Sequence, residues 1–177
     1  MRAGIEAARK AASGRDATAV EVGVHEGVNA AEMLTGWPEL CTLHLVDNYV
    51  KSGRPPYDKA LIALKAYPAR VQWHLVSSHV AAYDIPDGSQ ELVYIDDDHS
   101  QKGILISLLA WIGKVKPGGI LAGHDWGRYN LNVPIGEILQ PRGLRLCCDG
   151  LDWWTQIGVS QDPPPENGDS GPVLPSA

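Results

Sequence analysis

The 177-residue chain has no phenylalanine, although it carries six tryptophans and six tyrosines, a gap with no evident physical reason. Cysteine is scarce. Cys41, Cys147 and Cys148 form an odd set without C-x-x-C spacing, which excludes a disulfide framework and a cysteine zinc cluster. Adjacent Cys147 and Cys148, placed on a strand, would face opposite sides of it and share no metal. Positive charge is short as well: the net charge is −6, and the basic runs are pairs such as Arg9-Lys10. The cationic stripe that a phosphate backbone demands is missing, so nucleic acid is not an expected partner. Long hydrophobic runs are lacking too. The longest, Ile104 to Ile112, falls well below the about 20 residues that span a bilayer. No apolar stretch near the N-terminus reads as a secretory signal. These absences leave a soluble, cytoplasmic globular protein as the expectation.

What remains is ordinary for one packed core: 44% of residues are apolar and 20% charged. A single domain is expected over residues 1–160. Residues 161–177, rich in Pro and Gly with little to bury, read as a disordered tail. Apolar patterning places helices over 1–14, 29–36, 57–67, 80–83, 101–115 and 133–139. Between them fall strands over 17–24, 41–46, 71–76, 91–95 and 120–122, with two more at 144–148 and 153–159. Lys116-Pro117-Gly118-Gly119 reads as a turn into the fifth strand. Repeated strand–helix alternation argues for an α/β fold with a mostly parallel sheet. The last two strands are joined only by Asp149-Gly150-Leu151-Asp152, too short for a parallel crossover. They therefore form an antiparallel hairpin at one edge.

Chemistry-bearing residues gather where strands end. Glu21-Val22-Gly23-Val24-His25-Glu26-Gly27 lies where the first strand hands over to a helix. There, glycines admit a close ligand and a helix N-terminus offers N–H groups. Asp47 ends the second strand, placed to accept bonds from the hydroxyls of a ribose. Alone, the glycine pattern would also suit simple turn geometry. Asp96-Asp97-Asp98-His99 follows the fourth strand and Gly123-His124-Asp125-Trp126 the fifth. Ligands bind at that edge of parallel sheets, which favours a functional part for Asp96 and His99. Asp97 reads as a solvated or capping carboxylate. His124 and Asp125 suit either a divalent cation, which takes such nitrogen and oxygen donors, or a His–Asp bond that fixes the loop. His25 stands where it would meet a cofactor, and Trp126 where it would line a substrate pocket.

With these residues in view, the chain resembles class I S-adenosylmethionine-dependent methyltransferases. It is most similar to a small group with an IDADHSY…VKPGGILAGHDY signature. The matching stretches are VEVGVHEGVNA (20–30), HLVDNY (44–49), IPDGSQELVYIDDDHS (85–100) and KVKPGGILAGHDW (114–126). The terminal hairpin also favours this variant over a plain dinucleotide-binding domain. The resemblance implies a Rossmann-like three-layer sandwich with a seven-stranded sheet. It places Glu21, Gly23 and Gly27 beside the methionine part of the cofactor, Asp47 at the ribose, and Ser77 and Ser78 on the adenine side. More distantly the rim resembles metal-dependent O-methyltransferases of the catechol type. That likeness implies Asp96, His124 and Asp125 as metal ligands and His99 as general base. His124 stands where that group has a carboxylate.

The expected activity is methyl transfer to a hydroxyl or amine of a small molecule, with S-adenosylmethionine as cofactor, a divalent metal ion as a second candidate, and homodimerisation. Three other readings fit some of the same residues. They are a nicotinamide-dependent oxidoreductase, a non-catalytic nucleoside-binding module, and a metal-dependent hydrolase built on Asp96, Asp98, His124 and Asp125.

Overall fold

The computed structural model describes residues 1–50 and 53–158; the expected tail at 161–177 lies outside the described residues. Apolar strand residues alternate between two faces, and each face needs a cover. Leu92 and Tyr94 of β4 (Gln90–Ile95) join one buried cluster, while Val93 and Ile95 join the other. The first cluster is covered by α1 (Ala3–Ala12), α2 (Val28–Gly36) and α3 (Arg54–Leu64). The second is covered by α4 (Ser78–Ala81), α5 (Gln101–Trp111) and α6 (Asn132–Leu139). The result is the expected three-layer α/β sandwich.

The strands are β1 (Ala17–Val22), β2 (Leu40–Val46), β3 (Val71–His74), β4, β5 (Val115–Gly123), β6 (Cys147–Asp149) and β7 (Asp152–Gln156). They form one seven-stranded sheet in the order β3-β2-β1-β4-β5-β7-β6. Pairing is parallel from β3 to β5, and β7 runs antiparallel to both β5 and β6. The Rossmann-like arrangement with an antiparallel C-terminal hairpin is therefore present. Chain order reverses between β1 and β4, which opens a crevice at their carboxyl ends.

Several boundaries differ from the sequence expectation, each for a local reason. Helix α3 starts at Arg54 and takes Pro55 and Pro56 into its first turn, where a missing N–H leaves no bond unmade. Strand β3 stops at His74 because β2 ends beside it; the Asp47 N–H to His74 carbonyl bond (3.2 Å) is the last rung. Lys116-Pro117-Gly118-Gly119 is a bulge within β5 rather than a turn before it: Gln90 pairs with Val115 and Leu92 with Ile120. Strand β6 is shorter than expected, because Leu144 and Leu146 pack on the second cluster as loop residues instead of joining the sheet. Among the described residues no helix is long and apolar enough to cross a membrane.

Candidate active site

Two backbones meet at the crevice. The Asp96 N–H donates to the Val22 carbonyl at 2.7 Å. Gly23 has φ +90°, and a Cβ there would lie 2.1 Å from the Asp96 carbonyl oxygen. Only glycine permits this close approach of the two backbones where β1 and β4 end. Beside it, Asp47 is held by backbone N–H groups. Its Oδ2 accepts the N–H groups of Val24 (3.1 Å) and His25 (3.0 Å), and its Oδ1 that of Tyr49 (2.7 Å). The Tyr49 hydroxyl closes the same loop by donating to the His25 carbonyl at 3.0 Å. The carboxylate that ends β2 thus arrives in a fixed orientation with about one lone pair to spare.

A cavity of about 470 Å³ opens here, lined by Gly23, His25, Asp47, Ser77, Ser78, Asp96 and His99 among others. That size accommodates a nucleoside-type ligand. Glu21 and Gly27 stand behind the wall rather than on it. Glu21 is 1% exposed; its Oε1 accepts from Asn29 Nδ2 at 2.9 Å, and its Oε2 is buried with no partner among the described residues. Burial pushes its pKa up to about 8, with the Asn29 bond opposing, so the acid form prevails at neutral pH. Gly27 (φ +75°) is the N-cap of α2 and packs on α3, where a Cβ would meet the Ala60 Cα at 3.1 Å.

The adenine-side expectation divides. Ser77 caps α4 without a capping bond from its hydroxyl. Ser78 turns inward: it accepts from Trp111 Nε1 (2.9 Å) and lies 2.9 Å from Ser107 Oγ. Ser107 in turn donates to Asp97 Oδ2 at 2.8 Å. Asp97 is therefore no solvated carboxylate. Its Oδ1 is buried without a partner among the described residues, and burial raises its pKa. Trp126 packs partly buried against the second core cluster, and does not line the cavity.

At the ends of β4 and β5, side chains make the site. His99 Nε2 lies 2.8 Å from Asp125 Oδ2 and 3.4 Å from Asp96 Oδ1. His124 Nδ1 lies 3.4 Å from Asp125 Oδ1 and 4.0 Å from Asp96 Oδ1. The stronger His–Asp contact is thus made by His99, not by His124. Asp125 is 5% exposed and adopts φ 58°, a conformation that its surroundings must impose. Arg128 Nη1 approaches the same carboxylate at 3.5 Å, and the Tyr129 ring lies tilted against His99 at 5.4 Å between centroids. Burial raises the pKa of Asp96, while His124, Arg2 and His99 oppose the rise. Asp96, His124 and Asp125 each present one ligand atom within 4.8 Å of the others, so they have the spacing of a cation site. One nitrogen and two carboxylate oxygens suit manganese, iron, cobalt or zinc better than magnesium.

Residues 20–126 match the family model of a methyltransferase domain, over half of the chain. The chain belongs to that methyltransferase family. No curated protein matches it in sequence at a significant level. Solved structures share the fold of this methyltransferase at low identity. A Corynebacterium glutamicum protein has a TM-score of 0.67 at 15% identity, over 89% of this chain and 81% of that one. CalS11, described as a TDP-rhamnose 3'-O-methyltransferase of calicheamicin biosynthesis, gives 0.65 at 15%, over 88% and 77%. A SAM-dependent methyltransferase from Aquifex aeolicus gives 0.60 at 13%, over 86% and 87%. The methyltransferase rim thus carries the expected Gly23, Asp47, Asp96 and His99 on one cavity. Tyr49, Ser107 and Asn29 were not singled out beforehand. Of these only Tyr49, two residues beyond Asp47, had a signal in its position.

Proposed function

We propose that this methyltransferase uses S-adenosylmethionine and transfers its methyl group to a hydroxyl of a small molecule. One observation carries the reading. A single cavity is lined at once by the close-approach glycine ending β1, the backbone-held carboxylate ending β2 and the ionisable cluster ending β4. The cofactor's ribose would be bound by Asp47, its adenine beside Ser77, and its methionine end between Gly23 and Asp96.

The reaction is an in-line displacement: the acceptor oxygen forms a bond to the methyl carbon as the carbon–sulfur bond breaks. The sulfonium leaves as a neutral thioether, so the remaining demand is alignment and removal of the hydroxyl proton. His99 is the base. Its Nε2–H faces Asp125 at 2.8 Å, which fixes the tautomer and leaves the Nδ1 lone pair to take the proton. Tyr129, tilted against the His99 ring, walls the acceptor side. Asp96, His124 and Asp125 are the residues that would hold a divalent cation. Such an ion lowers the pKa of a hydroxyl bound to it.

Thermal unfolding with added ligands tests the cofactor assignment, because a ligand specific to the folded state raises Tm. S-adenosylhomocysteine is expected to raise it and NAD to leave it unchanged. Stabilisation by NAD alone would move the chain to the oxidoreductase reading. Transfer of labelled methyl to amines but to no hydroxyl compound would overturn the acceptor assignment.

A further inference from the structure

Helix α1 precedes the cofactor-binding segment by sequence, yet its first residues reach the rim. Gly4 makes the approach possible: a Cβ there would lie 2.6 Å from the Ala122 Cβ of β5 and 3.3 Å from that of Trp154. Arg2, the N-cap residue of α1, consequently lies over the end of β4. Its Nη1 donates to the Tyr94 hydroxyl at 3.0 Å and lies 3.5 Å from Asp152 Oδ1. Its Nη2 lies 3.7 Å from Asp96 Oδ2. Tyr94 and Asp96 are two residues apart on the same strand end, so the guanidinium spans from one to the other.

Docking of α1 does not require Arg2 to reach Asp96. The Ala3 N–H already donates to Asp152 Oδ2 at 3.0 Å, and the Tyr94 hydroxyl donates to Asp152 Oδ1 at 3.0 Å. Those two bonds tie helix, β4 and β7 together without a cation. What the guanidinium adds is a hold on one oxygen of Asp96. Oδ2 faces Arg2, and Oδ1 is left facing His99 at 3.4 Å and His124 at 4.0 Å. An ion pair on one side biases the carboxylate toward one rotation, which is how a supporting shell positions a functional group.

We propose that Arg2 is a positioning residue: it fixes the Asp96 carboxylate so that one oxygen faces the cavity. The inference rests on the cofactor reading, in which Asp96 borders the methionine end of the ligand. It makes α1 part of the binding site and not only a cover for the sheet.

A double-mutant cycle on ligand affinity tests this, with S-adenosylhomocysteine as the probe and calorimetry as the readout. Arg2→Met is expected to weaken binding about tenfold, the scale of a lost contact to a charged group. Lysine at position 2, shorter-reaching but still cationic, should recover part of the loss. In an Asp96→Asn background Arg2→Met should cost less than about twofold, because a residue acting through Asp96 has nothing left to position. Arg9→Met, which removes the half-buried Arg9–Glu6 pair from the same helix (2.7 Å), should leave affinity unchanged. Additive losses, or an Asp96→Asn variant that binds as the wild type does, would overturn the positioning role. If Arg2→Met does not fold, Arg2→Lys carries the same cycle with the same criterion. A wild-type protein that takes up no S-adenosylhomocysteine removes the cofactor reading, and the role of Arg2 with it.

Discussion

The cavity wall changes character from one side of the crevice to the other. At the ends of β1 and β2 it is backbone: Gly23 lies close against the Asp96 carbonyl, and three main-chain N–H groups hold the Asp47 carboxylate. At the ends of β4 and β5 it is side chain, with two carboxylates and two imidazoles within a few ångströms of one another. A backbone wall is rigid and depends on few residue identities, which suits a cofactor of constant shape. A wall of ionisable groups can orient, charge and exchange protons, which suits the reacting end. The division implies that substitutions on the two sides should fail differently.

The largest expected effect is on the side-chain wall. His99→Ala should cut turnover about a thousandfold, the scale of a lost general base, while S-adenosylhomocysteine affinity stays within about twofold. Steady-state kinetics beside calorimetry reads both, and an unchanged rate would remove His99 from the chemistry. On the backbone wall, Gly23→Ala should act on folding. Its Cβ would sit 2.1 Å from a main-chain oxygen at φ +90°, and strain with overpacking is worth about 3 kcal/mol or more. Urea denaturation should show that loss; a stable Gly23→Ala variant would mean that the approach is looser than described.

Smaller effects should appear as slopes with pH. Glu21 has its pKa raised from 4.5 to about 8 by burial. The stability it contributes is full below pH 4.5 and lost as pH rises through 8, so Glu21→Gln should flatten a decline in unfolding free energy between pH 4.5 and 8. His44, paired with His74 at 3.0 Å between β2 and β3, behaves oppositely. Burial, with His74 adding to it, lowers its pKa from 6.5 to about 4, so its contribution is present above pH 6.5 and lost as pH falls through 4. His44→Gln should flatten that acid limb. Melts across pH 4 to 9 distinguish the two, and slopes unaltered by either change would contradict the burial of these groups.

The backbone wall was largely legible in the sequence. Glycine and aspartate at strand ends carry a local signal, and strand–helix alternation with a short final loop was enough to place the antiparallel hairpin. The Lys116–Gly119 bulge was not legible, because a Pro-Gly-Gly run looks the same in a turn and in a bulge until its partner strand is known. Asp97 was misjudged from position alone, because its partner Ser107 comes from α5; the same helix supplies Trp111, which donates to Ser78. Arg2 had no signal at all. It meets Tyr94 and Asp152 across 92 and 150 residues, and only the packing of α1 brings them together.

The most direct test of the cofactor assignment is calorimetry of S-adenosylhomocysteine with the wild-type protein and Asp47→Ala. Asp47 would bind the ribose and already organises the loops after β1 and β2, so its loss should weaken binding about a hundredfold. Tight binding by the wild type with that loss in the variant is the predicted result. Equal affinity in both proteins, or no heat from either, would contradict it.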